Sequence, residues 1–173
     1  KLDVAAQRLG RFIGAAPSNL AFVPNATCAM NVVLASTELR AGDEILFTDQ
    51  EYGSVIRAWG RAAGPVGAKT VLASLPAPLT SAEEFTAAIM SRVTPKTRMI
   101  VVSHVTSQTA TIFPIESLCR AARAARVPVC VDGPHALAML PLSLDTLGCD
   151  YYCVSGHKWL SAPFGSGFLY VAP

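Results

Sequence analysis

The 173-residue sequence predicts an α/β domain built on a mostly parallel sheet, with helices on both faces. Short apolar segments alternate with segments of helical period along most of the chain. Two of the short segments, MIVVS at 99–103 and VPVCV at 127–131, are almost wholly apolar, which is typical of strands buried on both faces. The composition, 51% hydrophobic and 15% charged, suits one well-buried domain, so we expect residues 1–173 to form a single unit.

The N-terminal part of the chain predicts two helices with a short strand between them. Apolar residues recur at helical spacing from Lys1 to Ile13, and Gly14 can end that helix. A strand is predicted at Leu20–Pro24. Asn25 to Thr27 then open an apolar helix at Cys28–Ser36, because Asn and Thr are good N-cap residues.

The remainder alternates between strands and helices. Ser81 followed by Glu84 resembles a capping box at the start of one of these helices. The predicted helices are Tyr52–Ala63, Ala82–Val93 and Ile115–Arg126. The predicted strands are Glu44–Thr48, Lys69–Leu75, Arg98–His104, Pro128–Asp132, Tyr151–Val154 and Gly167–Val171. With the strand at 20–24, the sheet has seven strands.

Charge, hydropathy and cysteine content exclude several classes of protein. The net charge is only +2 and the charges are interspersed, so no basic stripe predicts a nucleic-acid partner. No apolar run reaches the roughly 18 residues of a membrane span, and the first residues lack a signal-peptide core, so we expect a cytoplasmic protein. Five cysteines without a Cys-x-x-Cys pair predict neither a disulfide framework nor a zinc site, but small buried side chains.

The most informative stretch runs from Val129 to Val171. Ligands of parallel sheets bind outside the carboxyl ends of the strands, and Asp132 ends a strand there. Lys158 lies in a Ser-Gly-His-Lys turn directly after another predicted strand, with apolar Trp159 and Leu160 behind it. A lysine in an apolar setting can have its pKa lowered enough to form Schiff bases with carbonyl compounds, although a lone lysine is more often a surface cation.

Polar groups after three other strands have two interpretations each. Asn25 to Thr27 at a helix start can bind an anion, or serve only as a cap. Tyr52 can stack on a flat ring, or be the first core residue of its helix. The polar run after His104, which includes Ser107, can line a cleft, or hydrogen-bond its own backbone.

A metal site is the alternative interpretation of the histidines. Asp132, His135, His104 and His157 include ligand types, but their spacing matches no recognised zinc pattern, so we predict no metal. Gly165-Ser166-Gly167 lacks the third glycine and the following helix of a dinucleotide loop.

Taken together, five segments closely resemble the class V aminotransferase family of pyridoxal-phosphate enzymes. They are NAT at 25–27, Tyr52, SHVTS at 103–107, VDGPHA at 131–136 and SGHKW at 155–159. The nearest branch is that of isopenicillin N epimerase-like proteins, with cysteine desulfurases as wider relatives. The resemblance implies the type I large-domain fold, with a seven-stranded, mostly parallel sheet and 167–171 as its antiparallel strand.

The resemblance also assigns roles around pyridoxal 5'-phosphate. Lys158 would hold the cofactor as a Schiff base and move protons at the alpha carbon of an amino-acid substrate. Asp132 would pair with the pyridine nitrogen, and His135 would lie near the phenolic oxygen of the ring. Phosphate binding would fall to Ala26, Thr27, Ser155 and His157.

Two further contacts follow from the same resemblance. Tyr52 would stack on the cofactor ring where desulfurase relatives use a histidine, and Ser107 would lie near the ring. Relatives build this pocket across a dimer interface, so we expect a homodimer in the parent enzyme. The expected reaction is an epimerase or lyase reaction at the alpha carbon of a small-molecule amino-acid substrate.

The resemblance also implies missing parts. Full-length relatives carry an N-terminal segment and a small C-terminal domain, where an arginine holds the substrate carboxylate and desulfurases have their reactive cysteine. We expect the 173 residues to be the large-domain portion alone. A non-catalytic fragment that keeps the fold as a cofactor- or partner-binding domain therefore stays open, as does a metal-dependent hydrolase that uses the three histidines.

Overall fold

The computed structural model describes residues 1–173 and shows one seven-stranded sheet between two layers of helices. The strands are β1 Leu20–Val23, β2 Glu44–Thr48, β3 Lys69–Ala73, β4 Thr97–Ser103, β5 Val129–Asp132, β6 Tyr151–Ser155 and β7 Gly167–Val171. The helices are α1 Leu2–Ile13, α2 Ala26–Ser36, α3 Gly53–Ala63, α4 Ala82–Met90, α5 Ile115–Ala124 and the single turn α6 Leu144–Leu147. The predicted α/β class and all seven strands are confirmed.

The strand order is β1-β7-β6-β5-β4-β2-β3. β7 pairs antiparallel with both β1 and β6, and every other pairing is parallel, as predicted. The carboxyl ends of the six parallel strands therefore meet at one edge of the sheet, which we call the carboxyl edge. The opposite edge is the amino edge.

The two faces of the sheet are covered by separate apolar clusters. Residues of α1, α4 and α5 pack on one face, whereas residues of α2 and α3 pack on the other. Because side chains alternate along a strand, Met99 and Val101 contact the α2 and α3 side, while Ile100 and Val102 contact the other. The same parity places Ser103 on the α2 and α3 side of the sheet.

Several boundaries differ from prediction for local reasons. The helix predicted from Cys28 begins at Ala26, because the Asn25 side chain accepts a hydrogen bond from Cys28 N at 2.9 Å and caps it there. The helix predicted to reach Arg126 ends at Ala124. Arg126 adopts a left-handed φ of 59°, and Val127 N bonds back to Ala122 O, which closes the helix.

Three smaller differences concern caps and ends. Ser81 caps α4 as predicted, but Glu84 reaches Thr80 rather than Ser81, so the box is only half formed. The strand predicted to run to Leu75 ends at Ala73, and the short helix α6 was not predicted. None of the helices combines the length and the apolar character needed to cross a membrane.

Candidate active site

A cavity of about 260 Å³ opens at the carboxyl edge of the sheet. It lies between the first turns of α2 and α3, the loop after β5 and the turn after β6. The structure brings together seven of the predicted site residues in its lining: Ala26, Thr27, Tyr52, Asp132, Ser155, His157 and Lys158. These residues come from four separate strand ends, which is the arrangement that parallel sheets use for ligands.

One wall of the cavity can bind an anion. Ala26 N, in the first turn of α2, donates to Ser155 Oγ at 2.8 Å, which joins that helix to the end of β6. Ser155 then keeps its own O–H to donate elsewhere. Thr27 adds a second hydroxyl at the positive end of the α2 dipole. Asn25 caps α2, and the binding of an anion at this N-terminus stays a prediction.

His157 contributes an unused hydrogen-bonding atom to this wall. Its Nδ1 is buried and has no partner within the chain. Its ring lies against that of Phe164, with centroids 4.9 Å apart. A buried polar atom without a partner is costly, and because His157 lines the cavity its Nδ1 is available to a bound ligand.

Two consecutive hydrogen bonds connect Lys158 to His135 and His135 to Trp159. Lys158 Nζ lies 2.9 Å from His135 Nε2, and Trp159 Nε1 lies 3.1 Å from His135 Nδ1. Indole N–H can only donate, so His135 Nδ1 accepts and the ring proton of a neutral imidazole lies on Nε2. That proton needs an acceptor, and only the uncharged amine of Lys158 supplies a lone pair.

The pKa changes of Lys158 and His135 agree with these hydrogen bonds. Burial lowers the pKa of Lys158 below its ordinary value, although the negative charge of Asp132 opposes this. Burial, and then the charge of Lys158, lower the pKa of His135. Both changes favour the uncharged forms, and the uncharged amine is the nucleophilic form of lysine.

Asp132 is the buried carboxylate of the site. It is 9% exposed and lines the cavity, and no group of the chain donates a hydrogen bond to its carboxylate. Burial raises the pKa of Asp132 to about 6, while the charge of Lys158 acts in the opposite direction. Such a carboxylate is suited to a cationic hydrogen-bond donor supplied by a ligand.

Tyr52 is the N-cap residue of α3, and its side chain lines the cavity. It is 52% exposed, so it is not the first core residue of that helix. Its ring is available at the cavity, as the stacking interpretation requires.

The polar loop after β4 lies away from the cavity lining. Val105 and Ile112 form a bridge, and the hydroxyls between them bond to one another, so the loop satisfies its own polar groups. Ser107 is exposed at the tip of this loop and does not line the cavity. Its contact with a cofactor ring stays a prediction.

His104 does not line the cavity and contacts the buried Tyr152 instead. Its Nδ1 is 2.7 Å from the Tyr152 hydroxyl, and burial lowers the pKa of His104 to about 4. No group of three or more His, Cys, Asp or Glu side chains is placed to hold a metal ion. All five cysteines are free, and four of them are buried, as predicted.

Three contributors were missed from the sequence. Trp159 appeared only as an apolar neighbour, whereas its N–H orients His135. Gly133 is required because a Cβ there would lie 2.0 Å from the Tyr152 ring. Glu51, which directly precedes Tyr52 in the sequence, is buried at the carboxyl edge. No local pattern in the sequence indicates its partner, because Glu51 follows β2 whereas Ser103 ends β4.

A family model and similar known proteins point to the same family. The model of the family described as Aminotransferase class-V matches residues 1–173. The isopenicillin N epimerase of Streptomyces clavuligerus is 43% identical over 169 residues, covering 98% of this chain and 42% of that protein. A probable cysteine desulfurase of Vibrio cholerae is 35% identical over 175 residues, again covering 98% and 42%. The chain thus spans less than half the length of these relatives.

Solved structures show the same architecture. The complex of the cystine C-S lyase C-DES with cysteine persulfide superposes with a TM-score of 0.86 at 28% identity, covering 96% of this chain and 44% of that one. A C-DES mutant with glycine covalently linked to its PLP cofactor gives 0.87 at 29% identity, with the same coverage. A cysteine desulfurase from Escherichia coli gives 0.88 at 26% identity, covering 98% and 43%.

Proposed function

Because the chain belongs to the class V aminotransferase family, we propose that it binds pyridoxal 5'-phosphate on Lys158 and acts at the alpha carbon of an amino acid. The observation that carries this proposal is the pairing of two groups at one cavity. The amine of Lys158 is favoured in its uncharged form by His135, and the buried carboxylate of Asp132 has no partner in the protein.

The residues present fit this cofactor. Ser155, Thr27 and the orphaned Nδ1 of His157 lie together at the N-terminus of α2, where a phosphate group would be held. Asp132 would accept a hydrogen bond from a protonated pyridine nitrogen, and the ring of Tyr52 would stack on the cofactor. His135 would contact the phenolic oxygen once Lys158 is bonded to the cofactor.

The reaction proposed is epimerisation or a lyase reaction. When bound, the cofactor supplies an electron sink that stabilises a carbanion at the alpha carbon of the substrate. Lys158 then holds or moves the alpha proton at Nζ, and the negative charge of Asp132 keeps the ring nitrogen protonated. Two similarities support these reaction classes: 43% identity to an isopenicillin N epimerase, and 35% to a probable cysteine desulfurase.

Two features of the assembly belong to the same proposal. The exposed rings of Trp159 and Phe164, 54% and 88% accessible beside the cavity, support a homodimer of the parent enzyme in which a second subunit covers them. Five free thiols support a reducing compartment, the cytoplasm.

The test uses chemical trapping of the Lys158 adduct. The chain is mixed with pyridoxal 5'-phosphate, the visible imine absorbance is recorded, and borohydride reduction is followed by peptide mass analysis. We expect the modification on Lys158 alone. The matched control is Lys69→Ala, at the amino edge beside Glu44, which should leave the adduct intact. An adduct that persists in Lys158→Ala would refute the assignment.

The reaction class is tested separately. The chain is incubated with a panel of amino acids in D₂O, and the alpha-proton NMR signals are followed. Loss of an alpha-proton signal that requires both cofactor and Lys158 is the expected result. Exchange that continues in Lys158→Ala would remove this residue as the base.

A further inference from the structure

Glu51 is a buried carboxyl group that the proposed chemistry does not use. It lies in the turn between β2 and α3 and is 5% exposed. Its Oε1 accepts a hydrogen bond from Thr48 Oγ1 at 2.6 Å. Its Oε2 accepts from both the backbone N and the Oγ of Ser103, at 2.7 and 2.6 Å. Since burying a carboxyl group is unfavourable unless it is well hydrogen-bonded, this arrangement is a built feature.

The three hydrogen bonds connect structural parts that both lead to the cavity. Thr48 ends β2 and Ser103 ends β4, so Glu51 ties two neighbouring strand ends together. The residue after Glu51 is Tyr52, which lines the cavity. Ser103 is in register with Asp132, which also lines the cavity. Glu51 therefore links Tyr52, its neighbour in the sequence, to Asp132, which pairs with the Ser103 that donates to Glu51.

Burial and hydrogen bonding act in opposite directions on the pKa of Glu51. Burial raises the pKa of Glu51 to about 7, the nearby charge of Asp132 acts in the same direction, and the bonds from Ser103 and Thr48 oppose them. Ser103, which donates to Glu51, is in register with Asp132, so the two carboxyl groups lie at neighbouring strand ends. Burial thus favours the protonated form of Glu51, whereas the three hydrogen bonds that it accepts favour the carboxylate and hold it between the two strand ends.

We propose that Glu51 is a positioning residue, which fixes where the Tyr52 ring stands relative to the Asp132 carboxylate and thereby orients the bound cofactor. The proposal rests on the proposed function, because it concerns how the same site holds pyridoxal 5'-phosphate. Glu51 itself touches neither cofactor nor substrate. Its action passes through the backbone of Tyr52 on one side and through the β4–β5 pairing on the other.

The experiment compares variants by cofactor affinity and by visible circular dichroism of the bound pyridoxal 5'-phosphate, which reports its orientation. Glu51→Ala leaves the buried Ser103 N–H without a partner, so we expect affinity to fall by about tenfold or more and the dichroic band to weaken. Glu51→Gln should stay within about threefold of the unmodified chain. Its amide oxygen still accepts from Ser103, and its NH₂ group can donate to Thr48.

The matched control is Glu44→Ala, at the other end of β2. Glu44 is also buried and also accepts a hydroxyl hydrogen bond, from Thr94 at 2.6 Å, but at the amino edge. Glu44→Ala should lower thermal stability and leave cofactor affinity within about twofold. If Glu51→Ala does not fold, Thr48→Val and Ser103→Ala each remove one hydroxyl and should each weaken binding by about two- to fivefold.

The outcomes separate the two proposals. If the unmodified chain gives no imine absorbance band with pyridoxal 5'-phosphate, both the proposed function and the positioning role are overturned. An unmodified chain that binds cofactor, with Glu51→Ala unchanged in affinity and dichroism, overturns the positioning role alone. The positioning role is also overturned if Glu44→Ala weakens cofactor binding as much as Glu51→Ala does.

Discussion

The two edges of the sheet carry the same kinds of charged residue in opposite electrostatic conditions. At the amino edge, Asp43 accepts hydrogen bonds from Arg98 Nε and Arg40 N, both at 2.8 Å. Glu44 accepts from Thr94 and lies 3.4 Å from Lys69 Nζ. The bond from Arg98 lowers the pKa of Asp43, and the bond from Thr94 lowers that of Glu44.

At the carboxyl edge the directions are reversed. Burial raises the pKa of Asp132 and of Glu51, and burial lowers the pKa of Lys158. Every one of these changes favours an uncharged form. At the amino edge the charged groups are paired within the chain, whereas at the carboxyl edge Asp132 and Lys158 face the cavity and only Glu51 is hydrogen-bonded within the chain.

The largest effect should come from crowding the carboxyl edge. In Gly133→Ala the new Cβ would lie 2.0 Å from a carbon of the buried Tyr152 ring, which cannot move without losing its bond to His104. We expect the free energy of unfolding to fall by about 3 kcal/mol or more, measured by denaturant titration.

Its counterpart at the amino edge is Gly42→Ala. No atom lies within 4 Å of a Cβ there, and only the positive φ of 86° is unfavourable. A loss of about 1 kcal/mol is expected. Equal losses for Gly42→Ala and Gly133→Ala would show that the Tyr152 packing is not the constraint.

The second prediction concerns the buried carboxylate of Asp132. Its folded-state pKa of about 6 lies above the ordinary value of 3.8, so the folded chain holds this proton more tightly than the unfolded chain does. Between about pH 4 and pH 6 the unfolded chain releases this proton while the folded chain keeps it. The free energy of unfolding therefore falls over this range. Asp132→Asn removes that loss, so the cofactor-free variant should be more stable above pH 6 by about 2–3 kcal/mol.

The measurement is the melting temperature of both cofactor-free proteins from pH 4 to 8. Taking the difference between them cancels the opposing contribution of His104, whose pKa is lowered. Cofactor affinity should change the other way, falling by about ten- to a hundredfold in Asp132→Asn. A variant that melts below the unmodified chain at pH 7.5 would contradict the electrostatic difference between the two edges.

The smallest effect should come from the amino edge. Arg98→Met removes the partner of Asp43, and because Arg98 is half exposed the melting temperature should fall by only about 3 °C or less. The pKa of Asp43 is lowered, so its contribution is present above pH 4 and is lost as the pH falls further. The difference should therefore shrink below pH 4, while cofactor affinity stays constant. A loss of affinity would mean that the two edges are coupled.

The sequence predicted the parts that depend on local pattern. Apolar runs such as 99–103 located the buried strands, and Asn25 located the start of α2. Asp132 and Lys158 were found because parallel strands gather their carboxyl ends at one edge. This rule needs only the order of strands and helices along the chain.

The remainder depended on contacts between residues far apart in the chain. Glu51 bonds to Ser103, 52 positions away, and Trp159 bonds to His135, 24 positions away. An isolated glutamate or tryptophan gives no indication of such a partner. Ser107 was chosen from a polar run, yet the loop turns its hydroxyls on one another and leaves this residue outside the cavity.

The antiparallel strand β7 joins two parts of the site that are far apart in the chain. It lies between β1 and β6 and thereby holds Ala26 against Ser155, which are 129 positions apart in the chain. A Cβ at Gly167 would lie 2.5 Å from Val154 O and 3.0 Å from Asn25 Cα, so the fit between these strands is close. The wall that we propose to bind phosphate therefore requires β7 in its place between β1 and β6. A ligand that needs this wall selects the fully folded chain, and its binding free energy adds to the free energy of folding.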